Sequence, residues 1–384
     1  MNPKTTVVWL MKSMGYDNNL LYWGPLLRSF VEEFPKTDLL TCDTEANIDE
    51  TGHKIRKAIP YIGFKFGSRK VSVPSPLVIF ALAKIRPELI VISEFGVLSL
   101  YAIIYKLFRA KVRVLLLVEN EPAYLRHNGV NRNSILHKVI RSLIVGIADR
   151  VLCNNKKTAV YLSNELGAPS KKIICGCYLT SEVPSVSGAR FPHQSGLVLL
   201  FVGRLIRSKG LVHLLRAIKM LGINDRRRLY LEIVGDGPER RAIEAEVVKM
   251  GIEGIVTIHG SQPYEKLGDF FSRADVFVFP TLGDYRALVG FEALSAGLPV
   301  IGSIFDGAGD EVVEIGVNGF LVDPRNEEEL SEKIRYFLSD PVAVKAFGAA
   351  SKRKAVKFSA KVAAANLVQA CLACASDCAP VDEA

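Results

Sequence analysis

Residues 197–210 read LVLLFVGRLIRSKG. The six unbroken apolar residues Leu197–Val202 are too few for a core helix and suit a strand buried on both faces. Such strands belong to parallel sheets covered by helices on each side. Gly203 ends the run, and after a short cationic loop a helix-length segment begins at Gly210. The same unit recurs downstream, with strands expected at residues 229–234, 256–259, 276–280, 299–301 and 320–322. Helices are expected at 238–250 and after Leu288, Asn326 and Ser359. Upstream, strands at 6–11, 89–93, 112–118, 150–153 and 173–175 alternate with helices at 20–34, 76–84, 97–108, 134–148 and 158–166. Residues 42–73 are less regular and read as a functional loop region. Residues 182–196, EVPSVSGARFPHQSG, have the Pro, Gly and Ser content of a linker. The fold expected is α/β, with two doubly wound Rossmann-like domains facing across a cleft: residues 1–182, a linker at 183–196, residues 197–358, and a C-terminal helix and tail at 359–384.

A chain of 384 residues with 49% apolar content, 30 Gly and 18 Pro is globular and long enough for two cores, which sets aside disordered and coiled-coil classes. No apolar run reaches the roughly 18–20 residues of a spanning helix. The nearest, 89–108, is interrupted by Glu94, Gly96 and Lys106. The N-terminal MNPKTTVVWLM lacks a small-residue cleavage site and reads as the first strand of a cytoplasmic protein. Seven cysteines, an odd number, argue for a reducing compartment over a disulfide framework. Cys371, Cys374 and Cys378 have helical spacing and no evident fourth ligand, so a small-residue helix face is favoured and no metal is expected. Residues 1–182 carry 25 Lys and Arg against 15 Asp and Glu, which accounts for all of the net charge of +9. Such a surface suits an anionic partner. Without zinc-finger spacing or an RNP signature, nucleic acid is set aside. Mixed basic and apolar residues at 101–113 and 136–150 leave two readings open, ordinary domain helices or peripheral association with an anionic inner membrane face.

In open parallel sheets, ligands sit at the carboxyl ends of the strands, where helix N-termini offer free amides. Three loops stand out. In the first, Gly203 allows close backbone approach, while Arg204 and Lys209 supply two cations suited to a diphosphate. The second, Gly235-Asp236-Gly237-Pro238, is a tight turn into a helix, but no dinucleotide fingerprint follows its strand. The third, TLGDYRALVGFEALSAGL at 281–298, carries Asp284 in a loop and Glu292 on a helix whose first amides fall near Ala287 and Leu288. A carboxylate accepts two hydroxyl hydrogen bonds, which makes Glu292 a candidate ribose reader and Asp284 a candidate sugar-hydroxyl reader.

The ordered set FVGRLIRSKGL, LEIVGDGPE, ADVFVFPT, D-x7-E and GVNGFLVDP, from about 197 to 324, resembles the nucleotide-binding domain of retaining GT-B glycosyltransferases of family 4, the glycosyl transferases group 1. The resemblance implies that residues 1–182 bind an acceptor and residues 197–358 a nucleotide sugar. It implies that Arg204 and Lys209 hold the donor diphosphate and that Glu292 binds the ribose. It further implies transfer of a sugar from a UDP- or GDP-linked donor to a glycan or lipid-linked saccharide with retention. His259, Gly260, Ser261 and Gln262 are placed near the base. The chain departs from the pattern at Asp284, where the family has Glu, and at Tyr285-Arg286-Ala287, where it has Gly-Phe-Gly. Arg286 becomes a candidate for an additional anion. In the first half, Gly15 falls where the family has a glycine-containing loop, and Glu119 and Glu121 are strand-end carboxylates facing the expected cleft, candidates for catalysis or for a hydrogen bond to a neighbouring loop; His127 lies too far on to align with the family's histidine.

No D-x-D triplet occurs, and fixed cations with helix-terminal amides stabilise a leaving diphosphate without a metal, so no cofactor beyond the donor is expected. Three rivals stay open: a sugar-nucleotide epimerase or hydrolase, a non-catalytic nucleotide-sugar-binding descendant, and an oxidoreductase.

Overall fold

The computed structural model describes residues 5–11, 26–27, 30–41, 55–56, 60–66, 69–119, 135–183 and 196–376. The strands are β1 (Val7–Met11), β2 (Thr37–Thr41), β3 (Ile55–Arg56), β4 (Tyr61–Phe66), β5 (Arg69–Pro74), β6 (Leu89–Ser93), β7 (Arg113–Val118), β8 (Arg150–Cys153), β9 (Ile173–Cys175), β10 (Leu197–Val202), β11 (Leu229–Val234), β12 (Val256–Ile258), β13 (Val276–Phe279), β14 (Val300–Ser303) and β15 (Gly319–Val322). They fall in two compact units. Among the described residues, those up to 119, 135–179 and 360–376 form the first, and 180–183 with 196–359 the second.

In the first unit seven parallel strands run in the order β3-β2-β1-β6-β7-β8-β9. Val8, Leu10, Ile90, Ile92, Val114 and Leu116 fill its core. The central strands are covered on both faces, which is why they read as continuous apolar runs rather than as alternation. The helices Leu77–Ile85, Val97–Phe108 and Ile135–Ile147, which precede β6, β7 and β8, pack against one another in that order. Within the stretch expected as loop, β4 and β5 pair as an antiparallel hairpin. The helix Ala360–Ser376, expected as a terminal appendage, packs on β7 and β8 and buries Leu367, Ala370, Cys371 and Cys374 in the first unit. Burial pushes the Cys374 thiol up to about 12 and the Cys371 thiol up as well, so both serve as core side chains.

The second unit has six parallel strands in the order β12-β11-β10-β13-β14-β15. The order reverses between β10 and β13, and this switch point is where doubly wound sheets bind ligands. Two helices close the unit. Glu327–Ser339 is capped by the Asn326 side chain, which accepts from the Glu329 amide, and has three glutamates in its first turn, favourable for the helix dipole. Pro341–Ala355, a helix absent from the expectations, begins at Asp340, whose carboxylate accepts from Val342 and Ala343 at 2.9 Å. The signal for it, Asp followed by Pro at the first helical position, is local and legible.

Candidate functional site

The loops at the carboxyl ends of β10, β11, β12, β13 and β14 are laced together by backbone hydrogen bonds. Leu205 donates to the Asp236 carbonyl at 2.9 Å, Gly235 to Gly260 at 2.8 Å, Leu282 to Ser208 at 2.7 Å and Asp284 to Phe305 at 3.2 Å. Glycine is required where this lacing is tightest. A Cβ on Gly235 (φ 142°) would lie 1.9 Å from the Gly203 carbonyl oxygen, and one on Gly210 (φ 67°) equally close to that of Pro280. At these positions the backbone of a neighbouring loop, rather than a ligand, already excludes a side chain.

At the switch point the first and third loops meet. Lys209 Nζ pairs with Asp284 Oδ2 and lies 4.9 Å from the Phe279 ring centroid. Arg204, at the start of the same loop as Lys209, is exposed. The helix Val289–Ala296 starts here without a side-chain cap, and the amides of Leu288 and Val289 carry no hydrogen bond among the described residues. The Ala287 amide is committed, donating to Asp306 Oδ1 at 3.2 Å. Two cations, a carboxylate and open amides thus belong to loops at the same strand ends, a chemistry suited to an anionic group attached to a hydroxyl-bearing one.

Asp306, not singled out from the sequence, is part of this surface. It ends the loop after β14, bridges to Asp284 through the backbone and accepts from Ala308 at 3.0 Å. Burial and the Asp284 charge push its carboxyl up to about 7, against the two amides and Lys209. The signal was the same one used for the other loops, an acid among small residues at a strand end.

Arg286 does not wait for an anion. Its side chain is almost fully buried, bonded to Glu311 at 2.9 and 3.2 Å and stacked 4.4 Å from the centroid of Phe291. The arginine stiffens the segment where the resembling family has glycines.

Glu292 is buried rather than solvated, with 1% of its surface exposed. Ser181 Oγ donates to it at 2.7 Å, and the Tyr264 hydroxyl lies 3.2 Å from the same Ser181 oxygen. Burial pushes the Glu292 carboxyl up to about 7 and the Tyr264 phenol up to about 12.

At the sheet edge, Asp236 is exposed, and its carboxyl is held below the usual range by the Gly237 amide and Arg240. Ser261 is exposed next to Gly260, while His259 Nε2 is buried without a hydrogen-bond partner among the described residues. In the first unit, the Glu119 amide donates to Glu94 Oε1 and its carbonyl accepts from Asn154 Nδ2 at 3.2 Å. Glu94 has φ 64°, a left-handed backbone uncommon outside glycine. Gly15, Glu121 and His127 lie outside the described residues. A cavity of about 790 Å³ opens near the amino ends of β13 and β14, beside Asp275 and Pro299, at the opposite end of the sheet from these loops.

Two parallel-sheet units of this kind define the GT-B fold of glycosyltransferases. Residues 190–354 match the family model Glycosyl transferases group 1. The D-inositol 3-phosphate glycosyltransferase of Streptomyces griseus is 31% identical over 193 residues, 48% of this chain and 40% of that protein. The 2-deoxystreptamine glucosyltransferase of Streptomyces kanamyceticus is 30% identical over 153 residues, 40% of this chain and 39% of that protein. The chain thus spans between 39% and 60% of the length of these curated relatives. Among solved structures, Anabaena HepE in complex with UDP has a TM-score of 0.72 at 14% identity, covering 95% of this chain and 99% of that one. The lipopolysaccharide outer core galactosyltransferase WaaB in its apo form has a TM-score of 0.72 at 16% identity, covering 96% and 99%. At such identities the likeness is one of fold.

Proposed function

We propose that the protein is a glycosyltransferase of family 4 type, which moves a sugar from a nucleotide diphosphate donor to a glycan or lipid-linked saccharide, with retention at the anomeric carbon and without a metal. The observation that carries this reading is the Lys209–Asp284 pair at the switch point, flanked by exposed Arg204 and the open amides of Leu288 and Val289. In the free protein the ammonium and carboxylate neutralise each other. An arriving diphosphate competes for Lys209 and frees Asp284 to accept from a donor-sugar hydroxyl. As the sugar–oxygen bond breaks, negative charge grows on the diphosphate, and fixed cations and amides stabilise it most at that moment. Glu292 receives the ribose hydroxyls in place of Ser181, and the loop 259–262 lies toward the base. HepE has also been solved with UDP-glucose, which makes a UDP-linked hexose the first donor to try, with GDP-linked donors next. We place the reaction in the cytoplasm as part of this proposal.

The test is a donor screen with and without acceptor extracts, scored by nucleoside diphosphate release. Release that depends on acceptor supports a transferase. Release without acceptor indicates a hydrolase, and donor binding without release a non-catalytic protein.

A further inference from the structure

On the first unit, the helices Leu77–Ile85, Val97–Phe108 and Ile135–Ile147 lie side by side. The Tyr105 hydroxyl of the second donates to the Leu82 carbonyl of the first at 3.1 Å, and the second also packs on the third. Their inner faces are spent on the core through Val78, Leu82, Ala102, Ile103, Ile144 and Val145. Their outer faces are not polar, as a solvent-facing helix layer would be. Phe80 is 73% exposed, Phe108 80% and Ile135 83%, and Leu107, Leu136 and Leu143 are exposed with them. In the third helix Leu136, Val139 and Leu143 recur at helical spacing as one exposed stripe. Isolated exposed apolar side chains are ordinary, but a clustered set on adjacent helices marks an interaction surface.

The charges around it choose the partner. None of the three helices contains Asp or Glu. Lys106 is neutralised by Asp149 at 2.7 Å, but Lys84, Arg109, Lys111 and Lys138 are exposed at the margins. A second copy laid face to face would set these cations against their own images, and nucleic acid would want cations rather than phenyl rings at the centre. Apolar side chains ringed by Lys and Arg match the boundary between headgroups and acyl chains in a bilayer with acidic lipid. We propose that this three-helix face docks on an anionic lipid bilayer, with Phe80, Leu107, Phe108 and Leu136 entering the acyl boundary and Lys84, Arg109, Lys111 and Lys138 meeting the headgroups. The proposal uses no residue of the donor site and stands apart from the reading of the reaction.

The experiment is co-sedimentation of the full chain with vesicles of phosphatidylcholine alone or mixed with phosphatidylglycerol, at low and high salt. The wild type is expected to pellet with the mixed vesicles only and to be released by salt. Phe108→Ser with Leu136→Ser, and separately Lys111→Glu with Lys138→Glu, should each lower partitioning by roughly tenfold or more. Lys249→Glu on the second unit should leave it unchanged, and circular dichroism checks that each variant is folded. Failure of the wild type to bind, equal binding to neutral vesicles, or wild-type binding by both double variants overturns the proposal. So does sedimentation velocity showing a self-associated wild type that the same substitutions disperse without any vesicle binding.

Discussion

Replacing Glu292 by Gln separates what this residue costs the fold from what it does for a ligand. The carboxyl is pushed up to about 7 from an ordinary 4.5, mainly by burial. An unfolded chain therefore loses this proton near pH 4.5, while the native protein keeps it until about pH 7. Between those values the native state binds more protons, so stability falls as pH rises and stays lower above pH 7. At roughly 1.4 kcal/mol per pH unit, the ionised carboxylate costs about 3 kcal/mol at pH 8. Gln carries no charge and still offers an oxygen to Ser181 Oγ, 2.7 Å away in the wild type. Glu292→Gln should therefore match the wild type at pH 4.5 and exceed it by about 2–3 kcal/mol at pH 8, allowing for a weaker hydrogen bond. Asp306 titrates in the same window and in the same direction, so the difference between variant and wild type isolates Glu292. Both tryptophans belong to the N-terminal part of the sequence, so native-state hydrogen exchange of the β13 amides is the readout for the second unit. In parallel, UDP binding measured by calorimetry at pH 8, where Glu292 is ionised, should weaken by roughly tenfold or more, since a charged acceptor is lost to the ribose hydroxyls. A variant less stable than the wild type by the same margin at both pH values would refute the argument from burial. Unchanged UDP affinity would remove Glu292 from the nucleotide site.

Three further outcomes are expected. Arg204→Ala and Lys209→Ala should each lower kcat/KM by roughly 10² with little change in Tm, because their effect grows with charge on the leaving group; near-wild-type turnover in both would remove the clamp from the mechanism. Asp284→Asn should lose most turnover, and Asp284→Glu should be slower than wild type, because the backbone bridge to Asp306 sets the loop for the shorter side chain; Asp284→Ala transferring sugar at the wild-type rate would mean that the site has been drawn wrongly. Arg286→Met removes the cation bonded to the buried Glu311 carboxylate and should cost about 3–5 kcal/mol in urea denaturation, much of it recovered in the Arg286→Met/Glu311→Met pair; a double variant as unstable as the single would contradict this account of the ion pair.

The sequence by itself determined the two-sheet architecture and which strand-end loops carry the candidate residues. Runs such as Leu197–Val202 carry strand and burial in one local pattern, and the rule that ligands meet strand ends then singles out Arg204, Lys209, Asp284 and Glu292 without any knowledge of distance. Helix starts were legible for the same reason, since the Asp340 cap touches only amides two and three residues on. What the tertiary structure decided are the pairings between segments far apart in the chain. Periodicity tells which face a residue takes but not which residue waits opposite. Thus Arg286 is spent on Glu311, Asp306 joins Asp284, Glu292 is covered by Ser181 from 111 residues away, and the last helix returns to the first unit. Burial is likewise a property of the assembled fold. The same Glu on a helix would be an ordinary solvated acid on an open face, and becomes a carboxyl titrating near neutrality only because the assembled fold buries it, by more than the hydrogen bonds of Ser181 and Tyr264 offset.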